Sequence, residues 1–219
     1  MARHCLPAAQ LVKELATGTG LRWPVMRWKS WLAICLSVLL VLLAILWLRR
    51  ERKRADIAGG TAGALPSLSS SSFADGGSLP QRLACDGANL SPDLKFPDPP
   101  PGTTSFAVVV DDPDTPFGFV HWLLYNVPPD TRDIPEGASS TGNLPRGAAE
   151  GLNDFSNLGY GGPCPPGTAP HHYIFRVYAL NLSDRLPPGM TKSQLAAAVK
   201  GHVLAEGKLS GLYARTRTS

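Results

Sequence analysis

Apolar residues fall into three kinds of run along this 219-residue chain. The first is unbroken: residues 31–48 carry no charge, with Trp28, Trp31 and Trp47 near the ends. About twenty apolar residues span a bilayer core and tryptophans favour its interface, so this run predicts one transmembrane helix. The second kind is short, rich in β-branched and aromatic residues, and bounded by turn formers. Residues 105–110 read S-F-A-V-V-V and stop at Asp111-Asp112. Residues 118–127 read G-F-V-H-W-L-L-Y-N-V and stop at Pro128-Pro129. Residues 173–180, Y-I-F-R-V-Y-A-L, are almost continuously apolar, which predicts a strand near the middle of a sheet. The third kind has helical spacing: after a Thr191 N-cap, Leu195, Val199 and Val203 recur, and Gly207 is expected to end the helix before an extended piece at 209–213. Pro/Gly-rich connections at 97–102, 128–137 and 160–170 separate the strands, so the pattern predicts a mostly β, sandwich-like domain with short helices.

Charge divides the chain at the same place as the pattern does. Ten Lys/Arg and three Asp/Glu precede residue 65, whereas eleven and fourteen follow it. A nucleic-acid binder carries its basic surface on the folded domain, so no nucleic-acid partner is expected. The division expected is a tail over 1–30, the membrane helix over 31–48, a basic juxtamembrane segment and flexible linker over 49–64, and the folded domain over 65–219. That makes a single-pass membrane protein, the membrane a partner through 31–48. The competing reading, a cleaved signal peptide, is weakened because Arg49-Arg50-Glu51-Arg52-Lys53-Arg54 follows with no small-residue cleavage site. Basic residues flank both ends of the run, so its orientation is nearly balanced, with a slight lean to a cytoplasmic C-terminal domain.

Most of the polar chemistry is concentrated in three islands: Asp112-Pro-Asp114-Thr-Pro116, Phe119-Val-His121-Trp122, and Gly161-Gly-Pro-Cys-Pro-Pro166 leading to His171-His172-Tyr173. Asp112 and Asp114 follow a strand and sit at its mouth, between prolines that stiffen the turn. Strand alternation puts His171 and Tyr173 on one face and His172 on the other, toward solvent. The Gly-rich loop can offer backbone N–H groups to an anion, imidazoles add donors, and carboxylates could hold an ammonium group. Each island also has a plainer reading, as a self-capping Asp-Pro turn or a satisfied core histidine. Of the four cysteines, Cys85 and Cys164 both sit in Gly-rich loops, so a bridge is open to them in an oxidising compartment.

Taken together, D-P-D-x-P, F-x-H-W, G-Y-G-G-P-C-P-P and H-x-Y resemble the phosphatidylethanolamine-binding protein family, most closely its bacterial, Raf-kinase-inhibitor-like branch. Cys85-Asp86-Gly87-Ala88-Asn89-Leu90-Ser91-Pro92, Asn153-Asp154-Phe155 and Gly201-His202-Val203-Leu204-Ala205 add to the similarity, which covers roughly residues 65 to 219. The resemblance implies an antiparallel β-sandwich, a central sheet packed by a second one, with short helices. It also implies a pocket for phosphate, acetate-like anions or phosphoethanolamine. By position, Asp112, His121, His171 and Tyr173 match the family's pocket residues, and Asp114, Pro116, Gly162 and Pro163 its pocket-shaping loops. His172 departs from the pattern, since an arginine is usual there. Asn89-Leu-Ser91 and Asn181-Leu-Ser183 have the form of glycosylation sequons and are read as turn chemistry.

Three functions compete. The first is a membrane-anchored binding module for a small phospho-ligand or anion, and the second an interaction protein that inhibits a kinase or protease. The third is a hydrolase using Asp112, Asp114, His121 and His171. The chain has no G-x-S-x-G elbow, no H-E-x-x-H and no P-loop, which argues against catalysis, and no cofactor or metal is expected. The binding module is the expectation carried forward.

Overall fold

The structure, a computed structural model, describes residues 28–53, 57, 62–66 and 68–215, and within the first helix the side chains of 34–46 only. Residues 1–27 of the expected tail over 1–30, and 54–56 and 58–61 of the expected linker over 49–64, lie outside the described residues. The chain divides into two compact units, Met1–Leu46 and Trp47–Ser219.

The first helix, α1 (Trp28–Lys53), contains the long apolar run, and its described side chains are exposed. Among the described residues no helix is long and apolar enough to cross a membrane. That corrects the expected spanning helix over 31–48, and with it the single-pass membrane localisation.

Among the described residues the second unit contains nine strands: β1 (Gly63–Ala64), β2 (Gly77–Ser78), β3 (Leu94–Lys95), β4 (Ser105–Asp112), β5 (Phe119–Val127), β6 (Asp133–Ile134), β7 (Ala149–Glu150), β8 (His171–Leu180) and β9 (Val203–Tyr213). A single helical turn, α2 (Ala138–Thr141), and a two-turn helix, α3 (Lys192–Val199), complete the elements used below. The main sheet runs β1-β9-β8-β4-β5-β7, with β2 also on β9. β1 and β2 lie parallel to β9, so the sheet is mixed, which corrects the antiparallel expectation. The second sheet is only the pair β3–β6.

β8 lies between β4 and β9, as its continuous apolar run predicts, because both of its faces are covered. On one side Phe106, Val108 and Val110 of β4 and Tyr173, Phe175 and Val177 of β8 pack with Leu94 and Ile134 of the small sheet. On the other, Ala107, Val109, Leu123 and Tyr125 pack with Leu195 and Val199 of α3 and with Ile57. Full burial of an aliphatic side chain contributes about 1.5–3 kcal/mol, which is what fixes α3 to the sheet.

α3 begins as expected, with a capping box between Thr191 and Gln194. It ends early. Gly201 turns at φ +82°, and Val203 starts β9 instead of extending the helix. Gly207, expected as the helix end, lies within β9, where a Cβ would come within 2.7 Å of the Pro66 carbonyl oxygen.

Candidate ligand-binding site

The site forms where the C-terminal end of β4, the start of β5 and the start of β8 meet. Side chains alternate along a strand, so Asp112 continues the face of Phe106, Val108 and Val110. On β8, His171 continues the face of Tyr173, Phe175 and Val177 by the same rule, while His172 is exposed.

His121 reaches this face by a different route. Val110 pairs with Trp122 and Asp111 with Val120, so His121 is the extra residue of a β-bulge. Without the bulge, alternation would align His121 with Leu123 and Tyr125, toward α3. With it, Val120 moves to the α3 side and the His121 ring stands 5.0 Å from the Tyr173 ring, edge-on at 80°. Four of the expected pocket residues, Asp112, His121, His171 and Tyr173, are thereby brought into one cluster.

Their bonds assign roles. The Asp112 carboxylate is buried and accepts two hydrogen bonds, from His171 Nδ1 at 2.7 Å and from the Asp114 backbone N–H at 2.8 Å. His171 is 14% exposed and Asp112 3%, so the pair is largely desolvated but open on the imidazole side. His121 Nδ1 lies 2.7 Å from the Gly161 carbonyl. A carbonyl only accepts, so Nδ1 carries the hydrogen and Nε2 is left bare. Burial lowers the His121 pKa, partly countered by the Gly161 carbonyl and by Asp112, and keeps the ring neutral. The Tyr173 hydroxyl is buried, and no hydrogen-bond partner for it exists among the described residues. The Cys164 backbone N–H faces it without completing a hydrogen bond. Burial first, and then the Asp112 charge, raise the Tyr173 pKa, so the phenol stays protonated and acts as a donor.

The Gly-rich loop is used differently from the expected anion nest. The Gly161 N–H donates to the His121 carbonyl and the Gly162 N–H to Asn89 Oδ1, so both are engaged within the protein. Gly162 is required for close packing: a Cβ there would lie 2.3 Å from the Leu83 carbonyl oxygen. Pro163 accepts from the Cys85 N–H, and Cys85 and Cys164 form a disulfide with Cα atoms 5.5 Å apart. The loop is thus a rigid wall, clamped on one side by His121 and on the other by the 81–89 turn. Asn89, held at φ 54°, explains the first sequon as turn chemistry.

The side chains of Asp114 and Pro116 are not part of the cluster, although the Asp114 N–H holds the Asp112 carboxylate. Pro116 is exposed in the β4–β5 turn. Asp114 Oδ2 accepts from both the N–H and Nδ1 of His172, at 2.7 and 2.8 Å. Partial burial raises the Asp114 pKa, but the His172 contacts more than offset it and the net shift is down. His172 therefore fastens the turn instead of lining the site. Sequence reasoning also misses the rim: Phe119 and Phe155 pack against His121 at 5.0 and 5.5 Å. Asn153-Asp154-Phe155 is visible in the sequence, but only the folded turn shows that Phe155 reaches His121.

Among the described residues no group of three or more His, Cys, Asp or Glu stands in metal-ligating geometry. A surface depression of about 370 Å³ beside Pro170 and Tyr213 adjoins the cluster, since Tyr213 is the cross-strand partner of His171, but none of the four residues lines it.

Comparison with known proteins matches residues 69–214 to the family described as phosphatidylethanolamine-binding protein. The chain belongs to the phosphatidylethanolamine-binding protein family. A UPF0098 protein of Methanothermobacter thermautotrophicus is 44% identical over 150 residues, covering 68% of this chain and 99% of that protein. Two solved structures of phosphatidylethanolamine-binding protein relatives are similar in fold. The Chlamydia trachomatis homologue CT736 matches with a TM-score of 0.64 and 35% identity, over 71% of this chain and all of its own. Escherichia coli YbcL matches with a TM-score of 0.65 and 33% identity, over 70% of this chain and all of its own. The match begins at Ser69, so all four cluster residues lie inside the family region and α1 lies before it.

Proposed function

We propose that this family member binds a small anion or phospho-headgroup at the Asp112, His121, His171 and Tyr173 cluster and does not transform it. The observation that carries the reading is the buried, unpartnered Tyr173 hydroxyl. Leaving a buried hydroxyl unsatisfied costs about 1–3 kcal/mol, and a phosphate oxygen supplies the missing acceptor. His171, its Nδ1 held by Asp112, offers a charged Nε2–H when protonated. His121 Nε2, being bare, suits the remaining hydroxyl of a monoprotonated phosphate. Catalysis has less support. The nearest nucleophile, the Tyr173 phenol, is held in its protonated form, and neither oxygen of Asp112 is free to act as a base.

The test is a titration with phosphate or phosphoethanolamine, followed through the ring resonances of His121 and His171. Both sets shift together at low-millimolar ligand if the reading is right. Unmoved resonances would overturn it and return weight to the alternative, an interaction protein that inhibits a kinase or protease.

A further inference from the structure

Phe155 is an aromatic side chain left 40% exposed that is nevertheless held firmly in place. Its turn is fixed by Asn153, whose side chain donates to the Gly159 carbonyl and accepts from the N–H groups of Phe155 and Asn157. Asp154 ties the same turn to β5, its carboxylate accepting from the Val120 N–H and its own N–H donating to the Val120 carbonyl. Room for the ring is made by Gly161, where a Cβ would lie 2.5 Å from it. One edge of the ring meets Phe119 at 4.7 Å and His121 at 5.5 Å, and His121 in turn meets Tyr173 at 5.0 Å. A continuous aromatic wall therefore runs outward from the unpartnered hydroxyl to a ring partly open to solvent.

We propose that Phe155, with Phe119, forms an aryl subsite, so that the ligand preferred at this site is an anion bearing a directly attached aromatic ring. The proposal rests on the anion reading above and narrows it. The wall begins one ring away from the Tyr173 hydroxyl, so the apolar group must be joined to the anion without a long spacer. All the rings at His121 meet it tilted or edge-on, an arrangement that gives an aryl partner more than its area burial alone. The subsite is already ordered, so occupying it costs little conformational entropy.

Calorimetric titration of the full chain with inorganic phosphate, butyl phosphate and phenyl phosphate tests this. Phenyl phosphate should bind about tenfold more tightly than the other two, a factor within reach of one added aromatic contact. Phe155→Ala should reduce that advantage, read as the ratio of phenyl to inorganic phosphate affinity within the variant, to about twofold or less. Phe155→Leu keeps apolar bulk on the turn, and a loss confined to phenyl phosphate in that variant supports the subsite equally well should alanine unfold the turn. Equal affinities for phenyl and butyl phosphate, or an aryl advantage that survives both substitutions, would overturn the aryl subsite while leaving anion binding intact. Failure of all three ligands with the unsubstituted chain would overturn the anion reading and the subsite together.

Discussion

Asp112 Oδ2 and His171 Nδ1 lie 2.7 Å apart, with the carboxylate buried and the imidazole on the rim of the site. Asp112→Asn leaves one acceptor for two donors, so an amide NH2 must face either the Nδ1–H of His171 or the Asp114 N–H, and it removes the counter-charge. Breaking a fully buried pair costs about 3–5 kcal/mol, and the solvent left to His171 lowers that to about 2 kcal/mol. Urea unfolding of the variant should show this loss, and phosphate affinity should fall with it.

Tyr173→Phe should act in opposite directions on the two properties. It removes a buried donor that has no partner, so the ligand-free protein should gain about 1 kcal/mol of stability. Phosphate binding should weaken, because the lost hydroxyl is the proposed donor. Thermal unfolding with and without phosphate reads both effects. A variant that binds phosphate as well as the original chain would count against the assigned role.

The pH dependence of stability should carry the signature of His121. Burial depresses its folded pKa below the ordinary 6.5, despite the opposing pull of the Gly161 carbonyl, Asp112 and Asp154. Below pH 6.5 the unfolded chain therefore binds the proton more readily than the folded one, and stability falls as pH drops from 7 toward 5. Asp114, also depressed, adds a further loss only below about pH 4, as the unfolded carboxyl takes up its proton. His121→Asn keeps an N–H near the Gly161 carbonyl without titrating, and should flatten the slope between pH 7 and 5 in urea unfolding.

Reduction of Cys85–Cys164 should destabilise the domain. The two cysteines are 79 residues apart, and cross-linking a loop of that length restrains the unfolded chain by about 4 kcal/mol in the loop-entropy treatment. Cys85 is exposed, so a dithiol can reach the bond. The unfolding midpoint should fall when dithiol is added, and to the same value as that of Cys164→Ser. The His121–Gly161 bonds hold the loop independently, so phosphate binding should persist below the new midpoint.

How much of this is legible in the sequence depends on whether the information is local. The faces of His171, His172 and Tyr173 follow from period-two alternation, and the central place of β8 from its unbroken apolar run. The aim of His121 is not legible, because V-H-W-L-L-Y shows no alternation and the bulge is set by pairing with β4. β1 and β2 are two-residue pieces without periodicity, and their parallel pairing appears only once β9 passes alongside them. The early end of α3 is masked by Val203, which keeps helical spacing although it already belongs to a strand. Likewise, the sequence shows that the loop is rich in glycine but not that His121 and Asn89 take up the N–H groups of Gly161 and Gly162.

Anion binding at the cluster is tested most directly by a crystal structure of the protein soaked with phosphate. A phosphate oxygen is expected within hydrogen-bond distance of the Tyr173 hydroxyl, and another facing His171 Nε2. Phosphate bound elsewhere, with the Tyr173 hydroxyl still unpartnered, would contradict that assignment.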